Sequence, residues 1–166
     1  MQRNDVLLAI DPGTTESAYC FIDKETYKPL QADKIPNEKL LTMLLDQSPM
    51  CPGDLAIEMV ASYGMPVGAE VFETCVWIGR FIQAMDQAPV AIDYVYRMEE
   101  RQIICHSGKA SDANITQALI DRFAKGVSNH GKGTKKEPGW FYGFRKDIWQ
   151  AYAVGVTYID KHNEGR

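Results

Sequence analysis

Two apolar stretches of the chain each end on a carboxylate. Residues 7–10 run into Asp11, which a Pro-Gly turn follows, and residues 55–57 run into Glu58. Apolar runs of this length are typical of buried strands, and Pro-Gly marks a turn. Taken alone, either carboxylate could begin an ordinary turn or face solvent at a strand end. The pattern predicts two strands that present an acidic side chain where they end.

Alternating and helical spacings predict the remaining elements. The first strand begins a β-meander, and strands then alternate with helices, of which the first is capped by Asn37. The fold class is therefore α/β, a mixed five-stranded sheet with helices on both faces. The predicted strands are residues 7–11, 18–23, 27–34, 54–58 and 90–96, and the predicted helices after the first are residues 69–87, 111–124 and 145–161.

Composition places the chain among ordinary globular proteins. Its 166 residues are 45% hydrophobic and 24% charged, which fits one domain spanning residues 1–166. No segment approaches the run of about 18 apolar residues that a membrane span needs, and the N-terminus enters a strand without a signal peptide. The four cysteines are scattered without a CxxC pair, which favours free thiols and a cytoplasmic location over a zinc site.

Charge is distributed unevenly along the chain. The formal net charge is −4, but residues 1–96 carry 6 basic and 14 acidic side chains, whereas residues 122–146 carry 7 basic side chains against Glu137 alone. The late segment also holds three consecutive aromatic residues, 140–142. Positive charge interleaved with aromatic rings is typical of nucleic-acid grooves, although a solvated loop with two aromatic core anchors would look the same.

A third carboxylate, Asp147, opens the last predicted helix. If the first and fourth strands are parallel neighbours, Asp11 and Glu58 emerge at one sheet edge, where Asp147 could join them. Oxygen ligands without histidine or cysteine select hard cations such as Mg²⁺ or Mn²⁺. Two such ions about 3.5–4 Å apart would clamp a phosphodiester and activate a water.

Four motifs, at residues 10–15, 56–58, 107–111 and 147–156, have the order and spacing of a known family. The chain resembles the RuvC family of Holliday-junction resolvases, especially the bacteriophage-encoded relatives. The resemblance implies a ribonuclease H-like fold, a homodimer and Mg²⁺-dependent nicking of four-way or other branched DNA to 5′-phosphate and 3′-hydroxyl ends. It implies no small-molecule cofactor, and a phage protein would act in the cytoplasm of its bacterial host.

Carried over by position, Asp11, Glu58 and Asp147 match the family's metal ligands. The family commonly has a second acidic residue three positions after the last of these, and here Gln150 occupies that catalytic position. A neutral amide can orient a water or bind a metal weakly, but it supplies no charge. Asp112 and Asp93 are possible substitutes.

The resemblance also suggests DNA contacts. Many members have a stacking aromatic three residues after the glutamate; this chain has Ala61 there, so Tyr63 or Met65 could take the role. Lys109 follows a glycine before a helix, as phosphate-binding groups do, although an exposed lysine is as plausible there. The predicted DNA-binding residues are Tyr63, Arg101, Lys109, Lys132, Lys135, Lys136 and Lys146.

Two other functions fit parts of the pattern. Residues 10–15 also resemble the phosphate-binding turn of actin-like and heat-shock ATPases, but those proteins enclose a nucleotide between two such domains, and 166 residues cannot supply both. Alternatively, the chain could be a catalytically weak or silent DNA-binding or phage module, which the neutral Gln150 would suit.

Overall fold

The computed structural model describes residues 5–46, 50, 52–86 and 89–164. The predicted end of the second helix at Gln87, the break at residues 48–49 and Cys51 lie outside these residues. The strands are β1 Val6–Asp11, β2 Glu16–Asp23, β3 Pro29–Pro36, β4 Asp54–Met59 and β5 Ala91–Tyr96, and the helices are α1 Asn37–Leu45, α2 Ala69–Met85, α3 Arg97–Cys105, α4 Asp112–Phe123 and α5 Ile148–Glu164.

The five strands form one mixed sheet in the order β3-β2-β1-β4-β5. The meander β1–β2–β3 is antiparallel, whereas β4 pairs parallel with both β1 and β5. The register aligns Ile10 with Ile57, so Asp11 and Glu58 end neighbouring parallel strands side by side. The predicted mixed sheet is confirmed, and its parallel centre positions the site.

Each face of the sheet packs against helices, as predicted. Leu7 and Ala9 point to the face covered by α5, and Leu8 and Ile10 point to the face covered by α1 and α2. Alternation along β1 and β4 therefore directs Asp11 and Glu58 to the α5 face. Helix α5 lies so close to the sheet that a Cβ on Gly155 would stand 2.2 Å from Ile22 Cδ1.

The sequence pattern does not predict helix α3. The segment Arg97–Cys105 is rich in charge and has few apolar residues. The helix is nevertheless well started, because the Glu99 side chain accepts a hydrogen bond of 2.8 Å from the backbone N–H of Tyr96. It packs against α4 and α5 and begins where β5 ends.

The segment between α4 and α5 has more structure than its sequence predicts. It contains a short 3₁₀ turn, Ser128–Gly131, and a tight hairpin closed by a bridge between Gly133 and Pro138. Glycines make these close approaches possible: a Cβ on Gly133 would stand 2.3 Å from the Glu137 carbonyl oxygen, and one on Gly139 would stand 2.2 Å from that of Gly131. We call residues 132–138 the lysine hairpin.

Aromatic residues anchor this segment to the core. Phe141 is fully buried, and Trp140 stacks on Phe123 with the ring centroids 5.2 Å apart. Tyr142 alone of the three consecutive aromatics is exposed. Two of the three rings therefore anchor the segment to the core, and of the three only the Tyr142 ring lies at the surface.

Among the described residues, no helix is long and apolar enough to cross a membrane. Cys20, Cys75 and Cys105 are free thiols.

Candidate active site

The turn after β1 is held by a buried asparagine. Asn37 accepts a hydrogen bond of 2.6 Å from the Ser17 hydroxyl and donates one of 2.9 Å to the Gly13 carbonyl. The predicted capping role of Asn37 is wrong, because Pro36 precedes the first helical residue and no side chain caps α1. A Cβ on Gly13 would stand 2.3 Å from the Glu16 carbonyl oxygen, so the turn requires glycine. These contacts fix the backbone just beyond Asp11.

Asp11 and Glu58 meet at the carboxyl ends of β1 and β4. The two carboxyl groups lie close enough for each to act on the pKa of the other. Burial, reinforced by the negative charge of Glu58, raises the pKa of Asp11 well above its usual range. Burial also raises the pKa of Glu58, although the charge of Arg97 opposes that rise. The pair is electrostatically strained unless a proton or a cation compensates it.

Arg97, the first residue of α3, is bound to Glu58. Its Nε lies 3.2 Å from Glu58 Oε1, and its Nη2 donates to Glu58 Oε2 at 3.2 Å. This is the bidentate geometry that guanidinium and carboxylate favour. The chain therefore places a cation of its own beside the acidic pair.

The remaining nitrogen of Arg97, Nη1, faces three further side chains. It lies 3.4 Å from Glu100 Oε2 and 3.4 Å from Asp112 Oδ1, and it donates to Gln150 Oε1. Of the two proposed substitutes for a fourth acid, Asp112 is thus at the site. Asp93 lies 3.8 Å from Lys161 Nζ near the far end of α5 and does not reach it.

Asp147 lies just before α5, and its carbonyl accepts the N–H of Ala151. Its carboxylate is paired with Lys34 of β3, and its charge contributes to the raised pKa of Asp11. The structure therefore brings Asp11, Glu58, Asp147 and Gln150 to one end of the sheet. Their catalytic and metal-binding roles stay predictions.

The donor set suits a hard divalent cation, but its arrangement is not that of a loaded metal site. No group of three or more acidic, histidine or cysteine side chains among residues 5–46, 50, 52–86 and 89–164 is placed to hold an ion as it stands. The reason is visible: Lys34 holds Asp147 and Arg97 holds Glu58. All donors are oxygens, and the Asp11–Glu58 pair lacks a full counter-charge, so the residues fit Mg²⁺ or Mn²⁺.

Two of the predicted DNA-binding residues belong to α3 and the turn after it. A Cβ on Gly108 would stand 3.0 Å from Met98 Sδ, so the turn that carries Lys109 passes beside the start of α3. Lys109 is exposed. Arg101 is only partly accessible, and its Nε is buried without a hydrogen-bond partner among the described residues.

The basic residues of the late segment divide into two groups. Arg122 pairs with Asp160 at 2.7 Å and Arg145 with Asp33 at 3.1 Å, so these two are engaged within the fold. Lys135 and Lys136 are exposed at the tip of the lysine hairpin, and Lys132 is half-buried at its base. Lys146 is exposed directly before Asp147.

The loop after β4 projects apolar side chains into solvent. Residues 60–70 are all exposed, with Tyr63 at 64% and Met65 at 71% of their full accessible surface. This loop leaves the carboxyl end of β4 directly after Glu58 and Met59. Both side chains are therefore accessible on the loop that follows Glu58.

Three residues that the structure places at the site are not indicated by the sequence pattern: Lys34, Arg97 and Glu100. Arg97 and Glu100 are spaced i, i+3 directly after a strand that is parallel to β4. That spacing after a strand at the site edge is a usable signal, but only once α3 is recognised as a helix. No comparable signal in the sequence marks Lys34.

Comparison with known proteins identifies the fold. No family model and no curated protein sequence matches the chain. Among solved structures, Thermus thermophilus RuvC matches with a TM-score of 0.72 at 16% identity over 96% of both chains. RuvC from T. thermophilus in complex with a Holliday junction substrate matches with the same score at 13% identity, also over 96% of both chains.

A third solved structure extends the likeness. The yeast mitochondrial Holliday junction resolvase Ydc2 matches with a TM-score of 0.59 at 14% identity, over 98% of this chain and 82% of that one. The predicted resemblance to RuvC is confirmed at the level of the fold: this chain has the ribonuclease H-like architecture of the Holliday-junction resolvases.

Proposed function

We propose that the protein is a divalent-metal-dependent endonuclease that cuts four-way or other branched DNA. The observation that carries the proposal is the half-buried Asp11–Glu58 pair at the carboxyl ends of two parallel strands, with Asp147 close enough to act on the pKa of Asp11. Three carboxylates at one sheet edge are costly without a cation, and their oxygens suit a hard one.

The fold likeness supports the choice of substrate class. Two of the similar structures are RuvC and one is a yeast resolvase, and one RuvC structure contains a Holliday junction substrate. Those substrates belong to those proteins. For this chain, branched DNA is a proposal that also draws on its exposed lysines and the projecting loop after β4.

Asp11, Glu58 and Asp147 would hold Mg²⁺ or Mn²⁺, with Gln150 as a neutral neighbour. The bound ion would activate a water and stabilise the departing 3′ oxygen. Hydrolysis joins the water oxygen to phosphorus and breaks the bond between phosphorus and O3′, which leaves a 5′-phosphate and a 3′-hydroxyl. Arg97 and Lys34 hold two of these carboxylates in place before DNA arrives.

DNA would be held from several loops around the site. Tyr63 or Met65 would stack on an exposed base, while Lys109, Lys146 and the lysine hairpin would contact phosphates. Arg101 is the weakest of the predicted contacts, because it is partly enclosed.

The protein would act as a homodimer. On α2, Phe72 and Val76 are exposed at 61% and 62%, and Leu45 of α1 is also exposed. Phe72 and Val76 are spaced i, i+4 and so share one face of the helix. Exposed apolar side chains grouped on one face are typical of a surface that another protein covers.

A second candidate is a DNA-binding module without nuclease activity. Gln150 supplies no charge, and Arg97 already compensates part of the acidic cluster. In such a protein, the same side chains would hold the fold together rather than hold a metal ion.

Cleavage of a synthetic junction separates the two candidates. Purified protein is incubated with an end-labelled four-way junction in Mg²⁺ or Mn²⁺, and a linear duplex serves as the matched substrate control. We expect nicks in the junction that DNA ligase reseals, because ligation needs 5′-phosphate and 3′-hydroxyl ends, and we expect a chelator to stop the reaction.

Asp11→Asn is the matched variant, and it should bind the junction without cutting it. Loss of both cutting and binding would mean that Asp11 is structural. Junction binding by the wild-type protein without cleavage in any divalent ion would favour the silent module.

A further inference from the structure

One nitrogen of Arg97 is surrounded by oxygens from separate elements of the fold. Its Nη1 lies 3.4 Å from Glu100 Oε2 on α3 and 3.4 Å from Asp112 Oδ1 at the start of α4, and it also donates to Gln150 on α5. The same guanidinium binds both oxygens of Glu58. We call the side-chain oxygens of Glu58, Glu100, Asp112 and Gln150 the oxygen cage.

Glu100 is the unusual member of the cage. Its side chain is fully buried, and its Oε1 has no hydrogen-bond partner among the described residues, while its Oε2 faces Arg97. A buried carboxylate oxygen without a partner costs free energy, so it indicates a missing ligand. A carboxylate oxygen accepts either a hydrogen bond or a cation, and the neighbouring Glu58 and Asp112 carboxylates favour a cation here.

The charges of the cage point the same way. When ionised, Glu58, Glu100 and Asp112 carry three negative charges around one guanidinium, which leaves two negative charges uncompensated. A divalent cation in place of Arg97 would compensate two of the three charges instead of one, and oxygen donors suit a hard cation. With Arg97 alone, the ionised cage keeps an excess of negative charge.

We propose that the oxygen cage is a divalent-cation site in which Glu100 supplies the negative charge that Gln150 lacks, and that Arg97 occupies this site when no cation is bound. Entry of the cation requires the Arg97 side chain to leave the cage. The freed guanidinium then faces the same end of the sheet as Asp11, where a DNA phosphate would lie.

This inference rests on the proposed function only for its role in cleavage, because cation binding to the cage can be measured without DNA. Two variants should change the affinity of the cage for a cation in opposite directions. Glu100→Gln removes a ligand charge, whereas Arg97→Gln removes the internal competitor.

The test is calorimetric titration of the metal-free full chain with Mn²⁺. We expect Glu100→Gln to lose one Mn²⁺ site or to weaken it on the order of 10- to 100-fold, the range seen when partners of metal ligands are removed. We expect Arg97→Gln to bind Mn²⁺ at least about tenfold more tightly, because a site blocked nine-tenths of the time loses that factor in apparent affinity.

Glu99→Gln is the matched control on the same helix. Glu99 pairs with Lys161 at 2.8 Å, away from the cage, and glutamine can keep its hydrogen bond to the helix start. Its Mn²⁺ affinity should equal that of the wild-type protein. Circular dichroism checks that each variant is folded.

If Glu100→Gln does not fold, Gln150→Asp replaces it, since an added charge in the cage should tighten Mn²⁺ binding. Unchanged Mn²⁺ binding in Glu100→Gln or in Gln150→Asp, or unchanged or weaker binding in Arg97→Gln, overturns the inference. Changed Mn²⁺ binding in a protein that cuts no junction would reject the proposed nuclease alone. Junction cutting with unchanged Mn²⁺ binding in the variants would reject the oxygen cage alone.

Discussion

The Asp11 side chain is held in place by a fixed turn and is made costly to ionise by burial and by a neighbouring charge. It ends a buried strand, lies beside the Glu58 carboxylate and is followed by a turn that Asn37 and Gly13 fix. The fold therefore holds a carboxylate in a place where it is costly to ionise. A carboxylate in such a place lowers the stability of the cation-free fold and binds a cation more favourably.

Removing that charge should stabilise the metal-free protein. Because the pKa of Asp11 is raised in the folded state, the folded chain binds more protons than the unfolded chain at pH values between the usual and the raised pKa. Stability therefore falls as pH rises through that window. We expect Asp11→Asn to reduce this fall and to raise the free energy of unfolding at pH 7 by about 1–2 kcal/mol.

Urea unfolding of metal-free protein at pH 4 to 8, roughly the range over which raised carboxyl groups titrate, measures the effect. The control is Asp121→Asn, at an exposed position of α4, which should follow the wild-type curve. An Asp11→Asn variant less stable than wild type at pH 7 would show that the carboxylate contributes to the fold.

Residues of the site differ in how far the sequence could reveal them. Asp11 and Glu58 are visible because each ends an apolar run, and Asp147 because it begins a helix. Arg97 and Glu100 are not, since their importance depends on a charged helix with few apolar residues and on its contact with α5. Burial of Glu100 runs against every expectation for a glutamate.

At the scale of elements, the packing of α5 against the sheet sets the position of Asp147 and Gln150 relative to Asp11. Helix α5 crosses β1 and β2 on the face to which Asp11 points, and Gly155 allows the close approach. The sequence predicts both the helix and the sheet. It does not predict that a glycine in the middle of an apolar helix is the point of contact.

Gly155→Ala should therefore destabilise the protein. The new methyl group would stand 2.2 Å from Ile22 Cδ1 and 3.1 Å from Ala9 Cβ, so the Ile22 side chain, the helix or the strand must shift. We expect a loss of about 1–3 kcal/mol in the free energy of unfolding, as for other overpacked cores.

Gly79→Ala is the matched control, because a Cβ there meets nothing within 4 Å and alanine favours a helix. At concentrations where the chain is monomeric, this control should be as stable as wild type or more stable. Equal stability of the Gly155→Ala variant would mean that α5 can move away from the sheet at no cost.

At the scale of the whole molecule, the basic segment 122–146 exposes fewer unpaired positive charges than its sequence suggests. Arg122 and Arg145 are paired with Asp160 and Asp33, so the lysines provide most of the available positive charge in that segment. A charge count along the sequence cannot separate engaged from available charges, because their partners come from distant strands and helices.

Replacing Lys132, Lys135 and Lys136 together with alanine should weaken junction binding and flatten its salt dependence. Each lost phosphate contact removes about 0.9 from the slope of log K against log salt, so the slope should fall by about 2 to 3. Binding measured by fluorescence anisotropy across a salt series gives this slope. Alanine at the exposed Lys28 and Lys39 is the control, and a slope that stays at the wild-type value in the triple variant would assign the hairpin to solvent.

The apolar stripe of α2 gives a prediction for assembly. Phe72→Glu combined with Val76→Glu should convert a dimer into monomers, because two buried charges would face each other across the interface. Sedimentation velocity measures the mass. Val127→Glu, at an exposed valine on the opposite face of the sheet, is the control, and dimers that persist in the double variant would place the interface elsewhere.

The lysine hairpin keeps its shape through glycine backbone contacts, whereas Lys135 and Lys136 point into solvent. The residues that shape its backbone are therefore different from those that present its exposed side chains. An engineer could exchange those lysines for other residues and leave the hairpin folded, as long as Gly133 and Gly139 remain. If the hairpin contacts DNA as proposed, exchanging Lys135 and Lys136 would change those contacts without changing the fold.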